Sequence, residues 1–268
     1  MASQYRKGRV HSLNLTAKAI KHAEALDRLA AHLETVDVWT RTAAGSRKQR
    51  FSRDDIAAAA IRIADAEGFD AVSMRRLAAE LDAGTMTLYH YVRTKDELLT
   101  VVVDAFLGEV VLPPSQRLPR GWRPAITVVA TRSRDALRRH PWILDITDDP
   151  KIGPNAMRHF DQSWQALESS GASFDDKLDL ITAVDEYVFG FCLHERNNLK
   201  DSGDDIEMVG YIEALLNDDD YPALGGMVAD LGLLGVWSRI HGHVRDPRRF
   251  DRNLARLLSG FEASFAGH

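Results

Sequence analysis

Apolar residues recur at three- and four-residue intervals along almost the whole chain, and that spacing predicts helices. From Thr16, which can cap a helix running to about Val36, the positions Ala19, Ala23, Leu26, Leu29, Ala30 and Leu33 share one face. A polar, basic linker follows at 40–50. Ser52 with Asp55 three residues on is an N-terminal cap, and the helix it opens aligns Ile56, Ala59, Ala60, Ile63 and Ala64. Gly68 suits a left-handed helix end. Ser73 caps a second, short helix, Met74 to Leu81, that buries Leu77, Ala78 and Leu81. Asp82-Ala83-Gly84 is a tight turn, and the third helix spans only about 85–91. Thr94 and Glu97 form a capping box for a fourth helix running to about Val110, and Pro113-Pro114 stops the pattern.

Further helices are expected at about 122–139, 141–147, 153–170, 174–200, 204–217, 221–234 and 247–265. Runs with a period of two are short and rare, and nothing alternates strand with helix, so the expected fold is all-α. The basic linker and the proline pair divide the chain into an extension with one helix at 1–50, a compact helical unit at 51–110 and a larger helical unit at 111–268.

Composition adds exclusions. With 268 residues, 45% hydrophobic and 27% charged, the chain is long enough for a sizeable core. Its one cysteine, Cys192, excludes an intramolecular disulfide framework and a cysteine-rich zinc site. There is no apolar run of about 18 residues, so no transmembrane helix is expected. The basic start, Met1 to Lys7, has no apolar stretch after it, so a secretory signal is not expected and a cytoplasmic location is. The net charge of −5 by itself argues against a nucleic-acid partner. Its distribution argues differently: residues 1–53 carry +7, 54–100 carry −4 and 101–268 carry −8.

Two short helices joined by a tight turn have helix-turn-helix geometry, in which the second helix enters the DNA major groove. Thr85, Met86, Thr87, Tyr89 and His90 offer hydroxyls, a thioether, a ring edge and an imidazole to base edges, while Leu88 and Tyr91 are natural core residues. Lys95, at the start of the fourth helix, adds a cation where free backbone N–H groups already favour an anion. Ser73 and Arg75 can hold the phosphate backbone from the other side, and Arg41, Arg47, Lys48, Arg50 and Arg53 supply a basic arm. The plain alternatives are a solvated helical hairpin and a solubilising tether.

The run from Phe69 to Leu81, followed by Leu88-Tyr89, Val92, Lys95 and Leu98, resembles the helix-turn-helix of TetR-family transcriptional regulators over about 50–110. Trp122-Arg123, Arg138 to Trp142, Pro154-Asn155-Ala156, Tyr187 to Phe191, Tyr221-Pro222 and the last helix are similar to the ligand-sensing domain of tetracycline-repressor-like members. The resemblance implies a homodimeric repressor of a palindromic operator, released by a small, hydrophobic effector, with no cofactor and no catalysis. Residues 111–268 then bind ligand and dimerise. Asp82 and Gly84 depart from the residues frequent at those positions, and the extension before the linker is longer than the usual family front.

Singly, Trp142, Phe160, Trp164, Tyr187 and Phe191 are as well explained by a core as by a site. With His140 and His194 they can line an apolar pocket holding a few polar groups, which the resemblance favours. It also points to dimer helices at 174–200 and 247–265, with apolar surface from Leu178, Ile181, Val184, Val188, Leu254, Leu257, Leu258 and Phe261. Other classes fare worse. His194-Glu195 begins like a zinc-protease helix, but the second histidine would fall on Asn198. His241 and His243 lack a third ligand, and no phosphate loop or nucleophile elbow occurs. A small-molecule-binding helical protein without DNA function remains the alternative, followed by an enzyme using the rear pocket.

Overall fold

The structure, a computed structural model, describes residues 38–39, 50–146, 151–200, 205–216 and 221–265. The helix expected between Thr16 and Val36, and most of the basic linker, lie outside these. Among the described residues every regular element is helical.

Helix α1 (Arg53–Glu67) starts on the expected box: Asp55 N donates to Ser52 Oγ at 3.0 Å and Ser52 N to Asp55 Oδ2 at 2.7 Å. Gly68 ends it with φ 85° and ψ 156°, positive but extended rather than left-handed helical, because the chain passes at once into a 3-10 turn at Phe69–Ala71. Ser73 caps α2 (Met74–Glu80), and α3 (Thr85–Tyr89) follows the turn in which Asp82 holds φ 47°. Helix α4 (Lys95–Val110) is capped by Thr94, but Glu97 accepts from the backbone N of Arg93 at 2.8 Å, one residue beyond a reciprocal box. Ile56, Ile63, Leu77, Leu88 and Val92 close the centre of this unit.

Helix α4 runs on into the second unit, where it packs on α5 (Trp122–Arg139) and α6 (Pro154–Ala166). A 3-10 turn at Pro141–Asp145 replaces the short helix expected at 141–147. The helix expected at 153–170 ends at Ala166, and a 3-10 turn, Glu168–Ser170, leads to left-handed Gly171. Helix α7 (Phe174–Lys200) packs on α5, and α11 (Arg249–Phe265) packs on α7. Between them come α8 (Asp205–Leu216), α9 (Pro222–Leu231) and α10 (Leu233–Val244). Helix α10 is absent from the sequence expectation. Gly232, with φ 69°, bends the chain by 99° and starts a second helix inside what reads as the end of one apolar run. No single described helix is long and apolar enough to cross a membrane.

Candidate nucleic-acid interface and its link to the second unit

Helix α3 presents two opposite chemistries. Leu88 is fully buried, and Tyr91 and Val92 just beyond it are buried as well. On the other side Met86 is 73% exposed and Tyr89 40%, with His90 exposed and Thr85 and Thr87 half-buried. The five proposed base-reading residues therefore share the outer side of one short helix. Gly84 caps α3 without a side-chain hydrogen bond, leaving its first N–H groups open to an external acceptor.

The proposed phosphate-holding residues lie at the edges of this face. Lys95 is exposed at the first position of α4, and Ser73 is exposed while accepting from Arg76 N at 3.2 Å. Neighbouring Arg75 and Arg76 differ. The Arg76 guanidinium bridges Glu67 at 2.7 Å and Glu80 at 3.1 Å, whereas the exposed Arg75 forms no ion pair among the described residues. The structure adds one cation and places another. Arg93 is exposed just after α3, and Arg50 donates to the backbone O of Asp82 at 2.7 Å, pinning the chain ahead of α1 to the turn. Arg50 belonged to the basic arm in the sequence. Arg93 was missed because it lies between helices, and its spacing two residues before Lys95 was the available signal.

Among the described residues, the seven expected to line a pocket do not form a single contact group. His140 and Trp142 sit at the junction of the two units, both buried. His140 Nδ1 lies 2.7 Å from Asp65 on α1, and its Nε2 lies 3.1 Å from Glu109 on α4. Trp142 Nε1 donates to the same Asp65 oxygen at 2.8 Å, and its indole stacks on Phe69 at 5.4 Å. These polar atoms are used in joining the two units. Phe160 and Trp164 meet at the far end of α6, where Phe174 stands 5.0 Å from Trp164. Tyr187 and Phe191 pack on buried Phe250 at 5.3 and 5.1 Å, and the Tyr187 hydroxyl donates to the Phe250 carbonyl at 2.8 Å. His194 is exposed on α7. The sequence showed seven residues of suitable type but not which sides their helices turn inward, and they divide into three groups and a surface histidine.

The junction extends along α4. Asp104, 4% exposed, accepts from Asn155 N and Ala156 N at 2.9 Å each and so caps α6 from outside its own helix. Arg132 on α5 donates to the carbonyls of Glu109, Val110 and Val111 at 2.8, 2.6 and 3.0 Å, capping the other end of α4. A cleft of about 390 Å³ opens beside the stacked pair, with Phe69, Lys95, Leu99, Trp142 and Ile146 among its walls. Cys192 is buried, and burial pushes its thiol up to about 11, which fits a packed helix residue and not a nucleophile. Among the described residues no group of three or more candidate ligands can hold a metal ion.

Comparison with known proteins gives concordant results. The family described as bacterial regulatory proteins, tetR family, matches residues 56–102, and the tetracyclin repressor-like C-terminal domain matches 114–265. The HTH-type transcriptional repressor DrrR1 of Streptomyces coeruleorubidus is 32% identical over 231 residues, covering 82% of this chain and 80% of DrrR1. An HTH-type transcriptional regulator of Saccharopolyspora erythraea is also 32% identical, covering 85% of this chain and 92% of its own. Among solved structures, ActR of Streptomyces coelicolor in complex with actinorhodin superposes with a TM-score of 0.64 at 26% identity, covering 81% of this chain and 98% of ActR.

Proposed function

Because the chain belongs to the TetR family of transcriptional regulators, a family of regulators and not of enzymes, we propose that it represses transcription as a homodimer on a two-fold symmetric operator and is released by a small hydrophobic effector. The observation that carries this reading is the outer side of α3. An exposed Met86 and Tyr89 on a helix whose inner side is buried have no role in holding the fold, and they fit the thymine methyls and base edges of a major groove. Thr85, Thr87 and His90 complete the reading side, while Ser73, Arg75, Arg93 and Lys95 hold phosphates.

The dimer helices in this reading are α7 and α11, presenting Leu178, Leu257 and Phe261 of the eight residues the sequence suggests, with Phe189 added. Ile181, Val184, Val188, Leu254 and Leu258 are buried in the chain's own core and have no surface left for a partner. Phe189, 40% exposed, with the half-buried Leu178, Leu257 and Phe261, supplies the apolar part of the proposed interface. ActR was solved with actinorhodin bound, which supports a ligand-responsive second unit here. We place the effector against Phe160 and Phe174, 43% and 64% exposed, on either side of Trp164, which is half-buried against the core. Displacing α6 would act on α4 through Asp104, so an effector that binds one position of α6 better shifts the reading heads.

The test is a duplex selected from a random pool by the full-length protein. Tyr89→Ala is expected to abolish binding to it while leaving a folded dimer in sedimentation. Unchanged affinity would overturn the reading side, and a wild-type chain that binds apolar ligands but selects no duplex would establish the ligand-binding alternative.

A further inference from the structure

The matched helix-turn-helix begins at residue 56, and the family resemblance gives the preceding chain no task. Two described residues of that chain, Val38 and Trp39, are nonetheless closely packed. Val38 is 1% exposed and forms a small apolar cluster with Ala57 of α1 and Val101 of α4, separate from the main core. Trp39 packs on the same cluster together with Ala105. Val101, Asp104 and Ala105 lie three and four residues apart, on one side of α4. Trp39 also reaches the second unit. A Cβ added to Gly153, which caps α6, would stand 2.7 Å from Trp39 Cζ2, so the indole comes this close only because position 153 has no side chain. The indole thus spans from the α1–α4 pair to the start of α6, beside the bonds by which Asp104 holds Asn155 and Ala156.

We infer that Val38–Trp39 is a strut that fixes the angle between the reading head and the second unit, with Trp39 a positioning residue for operator binding. Helix α4 is the continuous element shared by the two units, and any pivot of α4 against α6 must withdraw the indole from Gly153. An aromatic residue brings 150–250 Å² of surface to such a contact, enough to favour the seated angle over others. The strut therefore acts on the spacing of two heads in a dimer and not on the chemistry of either head. In that respect it rests on the two-half-site reading above.

Two measurements test it on the full chain. The first compares a selected palindromic duplex, the same duplex with one base pair added or removed between its halves, and a single half-site. Trp39→Ala is expected to weaken the palindrome about tenfold, inside the 5–150-fold range usual for coupling between sites. The half-site affinity should not change, the penalty for altered spacing should shrink, and Trp39→Phe should restore most of the loss. Equal losses on palindrome and half-site, or none on either, overturn the strut. The second measurement needs no DNA. Amide hydrogen exchange in Trp39→Ala should quicken at Asn155 and Ala156 while the buried amides of α1 keep their protection. No change, or faster exchange throughout, overturns the proposal. If the wild-type protein shows no preference for the palindrome over the half-site, the dimeric-operator reading fails, and the exchange result still decides the strut.

Discussion

Within α3, adjacent residues have separate tasks, which gives sharp expectations for single substitutions. Leu88→Ala removes a fully buried side chain and should cost about 2–5 kcal/mol of stability. Lys95→Ala removes an exposed cation with no ion pair among the described residues; it should leave the urea midpoint in place yet weaken operator binding severely. Finding both properties impaired together in Lys95→Ala would mean that the lysine holds the fold. Cys192 offers an independent check on the core of the second unit. With its thiol pushed up to about 11, a disulfide reagent at pH 8 should react slowly with the folded protein and quickly in denaturant. Fast reaction in the native state would place the thiol outside the core. The inner residues of α3 were readable in the sequence because helical period dictates them. Tyr187 and Phe191 were not, since an aromatic side chain is equally suited to a ligand and to Phe250, and only the packing of α11 on α7 decides between them.

The starts of the helices were legible and their ends less so. A start is marked by one side chain reaching a nearby N–H, as at Ser52, Ser73 and Thr94. A break such as Gly232 depends on where the next helix finds its packing partner, which local sequence does not record. Contacts between distant elements were beyond the sequence altogether, Asp104 above all. Asp104→Ala would leave two half-buried N–H groups of α6 without their acceptor, at a cost of about 1 kcal/mol measured by urea unfolding. No measurable loss would mean that water replaces the carboxylate. The junction should also be acid-sensitive through Glu109. Burial raises its carboxyl, but hydrogen bonds from Arg139 and His140 outweigh this and bring it below the ordinary value of 4.5. A lowered carboxyl stabilises the folded state above the unfolded value, and that contribution disappears as pH falls through the folded one. Between pH 6 and pH 3 the thermal midpoint of Glu109→Gln should consequently fall less than that of the wild-type protein. Parallel curves would remove Glu109 from the acid response.

At the scale of the molecule, the overall charge of −5 argues against DNA and its distribution argues for it. The segment 54–100, which carries the reading head, is itself −4, so its pull on phosphate must come from individually placed cations. In the proposed reading these are the cations that stand exposed beside α3, Arg75, Arg93 and Lys95, whereas Arg76 is held between Glu67 and Glu80. Salt dependence can count them. Each phosphate that is no longer neutralised by a protein cation lowers the slope of log affinity against log salt by about 0.9. In a symmetric dimer one substitution leaves two phosphates without their cation, so Arg75→Ala and Lys95→Ala should each reduce the slope by about 1.8, and Arg76→Ala, which breaks only pairs within the chain, should leave it unchanged. A reduction near 0.9 for the first two would show that one head alone engages the duplex, and the two-fold operator would have to be abandoned. A reduction for Arg76→Ala equal to that for Arg75→Ala would mean instead that its bridge to Glu67 and Glu80 opens on DNA. The slope thus reports the number of heads and the identity of their cations in one titration, because it counts the counterions that protein charges displace from the duplex.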